Sequence, residues 1–374
     1  MVKLSSTSAL SKIEVMMKYT TLLLSASLCW STTLFAQDFQ FVGKMQQPIN
    51  QQTQQVIKAQ AMQAKDITLP RTVTVLKVQL SENAWTKLHD KVQDNAALMQ
   101  AEAPGQNSVQ LGMNNVPILD QGPHGTCVTF ATSAAISALL NKGDYVSELC
   151  QLQLGLYLEK NGYMLSGWEG TFGSAVLDQM QFFGIVSKDT QQKQGCGGYK
   201  DYPVNTRDEP TNGLSLTDYH QLSESFPENI GWSAVLDFYE VFADKINPDT
   251  TLQQVKIALT SGDRLIFGVM LFHMDEGVAG AVGKYHAIDD TWVLTPEIIA
   301  AINSKDTEVG GHEMIITGFN DDATAVDAKG RVHKGLLTLR NSWGTAYGDK
   351  GTFYMSYDYF KALTLEVERI RKLY

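Results

Sequence analysis

The spacing of apolar residues changes several times along this chain, and each change predicts an element. Arg71-Thr-Val-Thr-Val-Leu-Lys-Val-Gln-Leu80 alternates β-branched and polar side chains, which predicts a strand. Ser81 then stands as the cap of an amphipathic helix carrying Trp85, Leu88 and Val92. Beyond it, Phe130, Ala131, Ala134, Ala135, Ala138 and Leu139 recur at helical spacing, and Asn141-Lys142-Gly143 stops the run. Near the other end, Gly311-His-Glu-Met-Ile-Ile-Thr-Gly-Phe-Asn-Asp321 predicts an apolar strand closed by a turn. A second strand follows at Gly335-Leu-Leu-Thr-Leu-Arg340, and a short helix precedes both at Pro296–Asn303.

The ends divide the chain into parts. Met17-Lys18 opens a short basic start, Tyr19 to Trp30 is apolar or small, and Leu34-Phe35-Ala36 ends in a small residue. That pattern predicts an export signal over 1–36, with Met16 or Met17 as possible true starts. Residues 46–63 are Gln-rich and fit a surface helix or a linker. Ala103-Pro104-Gly105-Gln106-Asn107 marks a flexible boundary. The expected organisation is a signal peptide (1–36), an N-terminal segment (37–112) and a main domain (113–374).

Composition narrows the chemistry. With 374 residues there is ample chain to bury a core, and a formal charge of −10 excludes a general nucleic-acid binder. Without the signal there is no membrane-spanning run in the mature form. Four cysteines and no CxxC argue against a structural metal site, and no cofactor motif appears. Asp321, Asp322 and Asp327 read as a solvated hairpin turn rather than a calcium loop. Losing Cys29 with the signal leaves Cys127, Cys150 and Cys196, an odd count that suggests one disulfide and one free sulfur.

Cys127 follows the turn-rich loop Asp120-Gln121-Gly122-Pro123-His124-Gly125-Thr126 and sits in the first turn of the apolar helix. Unpaired N–H groups and the helix dipole favour a thiolate there. Gln121 can offer a side-chain N–H which, with the backbone N–H of Cys127, makes a two-donor oxyanion hole. Gln121-Gly122, Gly125-Thr126-Cys127 and Phe130-Ala131 together resemble the active-site loop of the papain-like cysteine peptidases. Two positions depart from that family: Val128 replaces its usual tryptophan, and His124 its usual cysteine.

A nucleophilic Cys needs an oriented imidazole. Of seven histidines, His312 and His286 are the candidates; His124 is close in sequence but has no evident orienting partner. The strand beginning at His312 resembles the family's histidine strand, and Asn341-Ser342-Trp343-Gly344 its orienting-asparagine motif. The resemblance implies an α+β, papain-like two-lobed fold with a helical lobe, a β-barrel-like lobe and a pro-segment. It implies Cys127, His312, Asn341 and Gln121 as catalytic residues, with Trp343 shielding the Asn–His contact. Gly167-Trp-Glu-Gly170-Thr-Phe172 resembles the substrate-binding edge, so that Gly170 would meet substrate backbone and Phe172 line a side-chain pocket. The resemblance also implies a Cys150–Cys196 disulfide. The implied activity is hydrolysis of polypeptide substrates by a secreted or periplasmic monomer that needs no cofactor, inhibited by its own propeptide. The alternatives are a catalytically idle peptide- or surface-binding module and a thiol acyltransferase.

Overall fold

Two strands of the N-terminal segment pair with each other first, β1 (Phe39–Ile49) and β2 (Arg71–Leu80), antiparallel. They belong to a computed structural model that describes residues 38–49, 71–93, 107–163, 166–242, 246–272, 274, 278–279, 282–283, 290–305 and 307–373. The signal expected over 1–36, most of the Gln-rich stretch and His286 lie outside the described residues. The described residues from 38 on form one compact unit, so residues 38–49, 71–93 and 107–112 pack as part of the same body.

The periods predicted from sequence become elements because each buries one set of side chains. In β2, Val73, Val75, Leu76, Val78 and Leu80 are buried. Ser81 Oγ accepts the Ala84 N–H at 3.0 Å and so caps α1 (Glu82–Gln93), which buries Trp85, Leu88 and Val92. After β3 (Ser108–Gln110) comes α2 (Cys127–Leu140), apolar on all sides and buried on all sides, as a central core helix must be. Asn141 ends it in the left-handed conformation at φ 58°. The helices α3 (Glu148–Lys160), α4 (Gly173–Phe183), α5 (Lys188–Gln194) and α6 (Leu216–Leu222) complete a helical half around α2.

The other half is built on a sheet. It contains β4 (Ile230–Leu236), α7 (Pro248–Thr260), β5 (Arg264–Leu271), β6 (Val278–Ala279), β7 (Thr291–Trp292), α8 (Pro296–Ser304), β8 (Val309–Val326), β9 (Val332–Arg340), β10 (Thr352–Ser356), α9 (Tyr357–Leu363) and β11 (Thr364–Lys372). Among the described residues the strands run β4-β11-β5-β8-β9-β10-β7-β6, with β2 and β3 joining β8 as well. Both faces are covered. Alternate residues of β5 split between two cores: Leu265, Phe267 and Val269 join one that includes α1 and α7, while Ile266 joins the helical core around α2. The fold is α+β.

The long strand β8 positions the site. On one edge β5 pairs with it over residues 310–316, and β3 takes over at 318–320. On the opposite edge β2 pairs with Val309, Gly310 and Gly311, and β9 begins at Ile315. Residues 312–314 therefore face a break between two neighbouring strands on that edge, and His312 stands at its start.

Candidate active site

His312 is fixed by the end of β9. That strand stops at Arg340, opposite Ile315, which delivers Asn341 beside the break in the β8 edge. Asn341 Oδ1 accepts from His312 Nε2 at 2.8 Å and from the Ser342 N–H at 2.7 Å. An atom accepting a main-chain N–H is the amide oxygen, so Nε2 carries the ring proton and Nδ1 keeps the lone pair. Nδ1 is buried and makes no hydrogen bond among the described residues. Trp343 lies over the imidazole, with ring centroids 4.4 Å apart and planes 21° apart.

Cys127 starts α2 and is fully buried; among the described residues it is the free cysteine. Burial pushes its thiol up to about 12, although main-chain N–H groups of Glu313, Val128 and Cys127 itself act the other way. The Glu313 N–H reaching the sulfur places Cys127 beside the residue that follows His312. Burial pushes His312 down to about 4, against the opposing effect of the Asn341 bond. Burial thus favours the uncharged thiol and the uncharged imidazole.

Gln121 is tied to the same hairpin. Its N–H donates to Ser342 O at 2.8 Å, and its Oε1 accepts from Ser342 Oγ at 2.7 Å. Its Nε2 donates one hydrogen to His124 O at 2.8 Å and keeps a second. His124 turns away from Cys127 and does have an orienting partner, one distant in sequence: Glu209 Oε1 lies 3.1 Å from Nδ1 and Pro203 O 3.0 Å from Nε2. Cys150 and Cys196 form a disulfide that ties the start of α3 to the loop after α5.

Gly170 has φ +100°, a conformation that suits glycine. A methyl group there would come within 2.7 Å of Leu76 Cδ2. A methyl at Gly125 would meet the same Leu76 atom at 3.0 Å, and one at Gly311 would meet Leu76 Cβ at 3.7 Å. Leu76 of β2 thus fills the space between the Gly170 loop, the Cys127 loop and β8. Phe172 stacks on Phe238 at 3.9 Å and meets Phe41 of β1 at 5.1 Å. Phe41, Phe172, Leu76 and His312 share one small cavity, so the N-terminal strands close over the expected substrate edge. Lys44 of β1 fastens this lid, with Nζ 2.5 Å from Glu209 Oε1 and 3.4 Å from Glu169 Oε1.

The sequence reading missed a cluster beside the site. Gly268 of β5 pairs with Glu313 on one side and Glu366 on the other, so both carboxyls crowd into the room its absent side chain leaves. Glu368, two residues on, joins them on the same face, and carboxylate oxygens of the three lie within 4.8 Å of one another. The start of α4 contributes the Gly173 N–H, 3.1 Å from Glu366 Oε1. Glu313 Oε1, Glu366 Oε2 and Glu368 Oε2 are buried and unpaired. Burial raises all three carboxyls, with mutual repulsion raising Glu313 and Glu368 further; Glu366 reaches about 7. Of the described acids these three are grouped closely enough to hold a cation. The aspartates do other work: Asp327 closes the β8–β9 turn onto Arg331, and Asp321 takes Lys256 Nζ at 2.6 Å.

Residues 295–373 match the model of the Peptidase C1-like family. An uncharacterized peptidase C1-like protein of Acanthamoeba polyphaga mimivirus is 29% identical over 112 residues, 30% of this chain and 28% of that protein. The match therefore spans less than a third of that relative's length. Among solved structures, the cysteine protease xylellain from Xylella fastidiosa superposes with TM-score 0.45 at 17% identity, covering 73% of this chain and 91% of that one. Digestive procathepsin L 3 of the Tenebrio molitor larval midgut gives TM-score 0.42 at 14% identity, over 76% of this chain and 79% of that one. By its own motifs, and by the family model matched over its C-terminal strands, the family that this chain resembles is the peptidase C1-like family.

Proposed function

We propose that this chain is an exported, papain-like cysteine peptidase held inactive by its own N-terminal segment. Cys127 attacks the peptide carbonyl; the Cys127 N–H and the spare Gln121 N–H receive the oxyanion; His312 Nδ1 takes the thiol proton and returns it to the leaving amine. Water activated by the same nitrogen then releases the acyl-enzyme. The observation that carries the reading is the Asn341–His312 hydrogen bond beneath Trp343, which leaves the Nδ1 lone pair unengaged, while His312 and Val128, next to Cys127, line one small cavity. Inhibition follows from β2, which adds to the β8 edge up to Gly311 and sets Leu76 where a substrate strand would lie. Removing β1 and β2 would re-expose Cys127 and His312 to water, lowering the thiol and raising the imidazole toward an ion pair. In this reading the mature enzyme acts outside the cytoplasm as a monomer on polypeptides; among the described residues no helix is long and apolar enough to cross a membrane.

The test is labelling with an epoxide or haloacetamide probe, located by mass spectrometry, before and after limited proteolysis of the N-terminal segment. Labelling confined to Cys127, gained on cleavage and lost in His312→Ala, is expected together with hydrolysis of a peptide library. A cleaved protein whose Cys127 stays inert would overturn the assignment.

A further inference from the structure

We propose a second binding site, for a phosphate or sulfate group, at the opposite end of α2 from Cys127. Fourteen residues of helix place it about 20 Å away. There the turn from α7 into β5, the end of β11 and the end of α2 line an open cleft of about 520 Å³. Arg264, Arg369, Arg371 and Lys372 line it, against one acid, Asp263. Asp263 is already committed, its Oδ2 taking Arg369 Nε at 2.6 Å and Nη2 at 2.5 Å. Arg264, Arg371 and Lys372 therefore line the cleft with no carboxylate partner among the described residues, in a chain whose net charge is −10.

Arg264 makes this more than a basic patch. It is 6% exposed, and its Nε and Nη1 are buried with no acceptor among the described residues. A guanidinium largely removed from water without a full set of acceptors is costly, and an oxyanion held against the edge of Arg264 that lines the cleft would offset that cost. Of the terminal carbonyls of α2, Ala138 O already accepts from Asn114 Nδ2 at 2.7 Å and from the Asn141 N–H at 3.2 Å; the negative end of the helix dipole opposes an anion here, so the three cations must outweigh it. Arg371 and Lys372, exposed at the rim, would draw an anion in, and Arg264 would hold it. The volume far exceeds one bare oxyanion, so the group is carried on a larger molecule. The site is independent of the peptidase reading.

Thermal unfolding and calorimetry of the full chain, titrated with inorganic phosphate, sulfate and glucose 6-phosphate at constant ionic strength, test it. A saturable rise in unfolding temperature is expected, with glucose 6-phosphate binding more tightly than bare phosphate. Arg371→Gln/Lys372→Gln, a surface change that leaves the core intact, should weaken binding at least tenfold. Arg264→Met should abolish binding and stabilise the phosphate-free protein. No saturable response, or the same response in the double variant, overturns the proposal; the double variant decides it even if Arg264→Met fails to fold.

Discussion

Three buried carboxyls around Gly268 should make this protein less stable as pH rises, and Glu366→Gln isolates one of them. The carboxyl of Glu366 moves from an ordinary 4.5 to about 7 on folding because it is buried. Below pH 4.5 it is protonated in both the folded and unfolded chain, so the group contributes nothing unfavourable. Between 4.5 and 7 the unfolded chain gives up the proton while the folded chain retains it, and stability is lost. Above 7 the loss levels off at about 3 kcal/mol. Glutamine matches the protonated acid in shape and supplies a permanent N–H donor to the oxygens of Glu313 and Glu368. Urea unfolding followed by tryptophan fluorescence should therefore show wild type and variant alike at pH 4.5, with the variant about 3 kcal/mol more stable at pH 8. An equal difference at both pH values would mean that Glu366 is ionised in the folded protein and paired with a cation, and the burial argument would fail.

Leu76→Asp should put a charge among Gly125, Gly170 and Gly311, raising Cys127 labelling and peptidase activity of the uncut chain at least tenfold in a fluorogenic assay. Asn341→Ala should lower kcat by at least tenfold with little change in KM, because the ring loses its orientation while the substrate edge is untouched. Replacing both disulfide cysteines by serine opens a closure of 46 residues, and calorimetric unfolding should register a loss of about 4 kcal/mol. At Glu209, burial raises the carboxyl, but the bonds to His124 and Lys44 outweigh it and hold the group below its ordinary value. That stability is present above pH 4.5 and lost on acidification, so limited proteolysis of β1 should accelerate below it, and Lys44→Met should cut fast at neutral pH too.

What the sequence made legible was local. The alternation in 71–80, the helical run after Cys127 and the apolar strand after His312 are short-range patterns, and each folds where its period places it. The Asn341-Ser342-Trp343 run could be read because one hairpin brings it back to His312. What could not be read depended on register between distant strands. That β2 joins the β8 edge is set by pairing across more than 230 positions of chain, and nothing in Leu76 itself announces it. The acidic cluster left a fainter signal: Glu313 interrupts an apolar run, and Glu366 and Glu368 alternate in another. Only the pairing of both strands with Gly268 makes them neighbours. His124 had its orienting partner 85 residues away.

If β2 blocks the cleft as proposed, then as part of the same polypeptide it meets its seat at an effective concentration in roughly the millimolar range, however dilute the protein. A backbone cut after β2 breaks that tether without breaking the strand pairing. Release then becomes an ordinary dissociation, and the protein that is cut in a crowded compartment switches on only when it is diluted out of it.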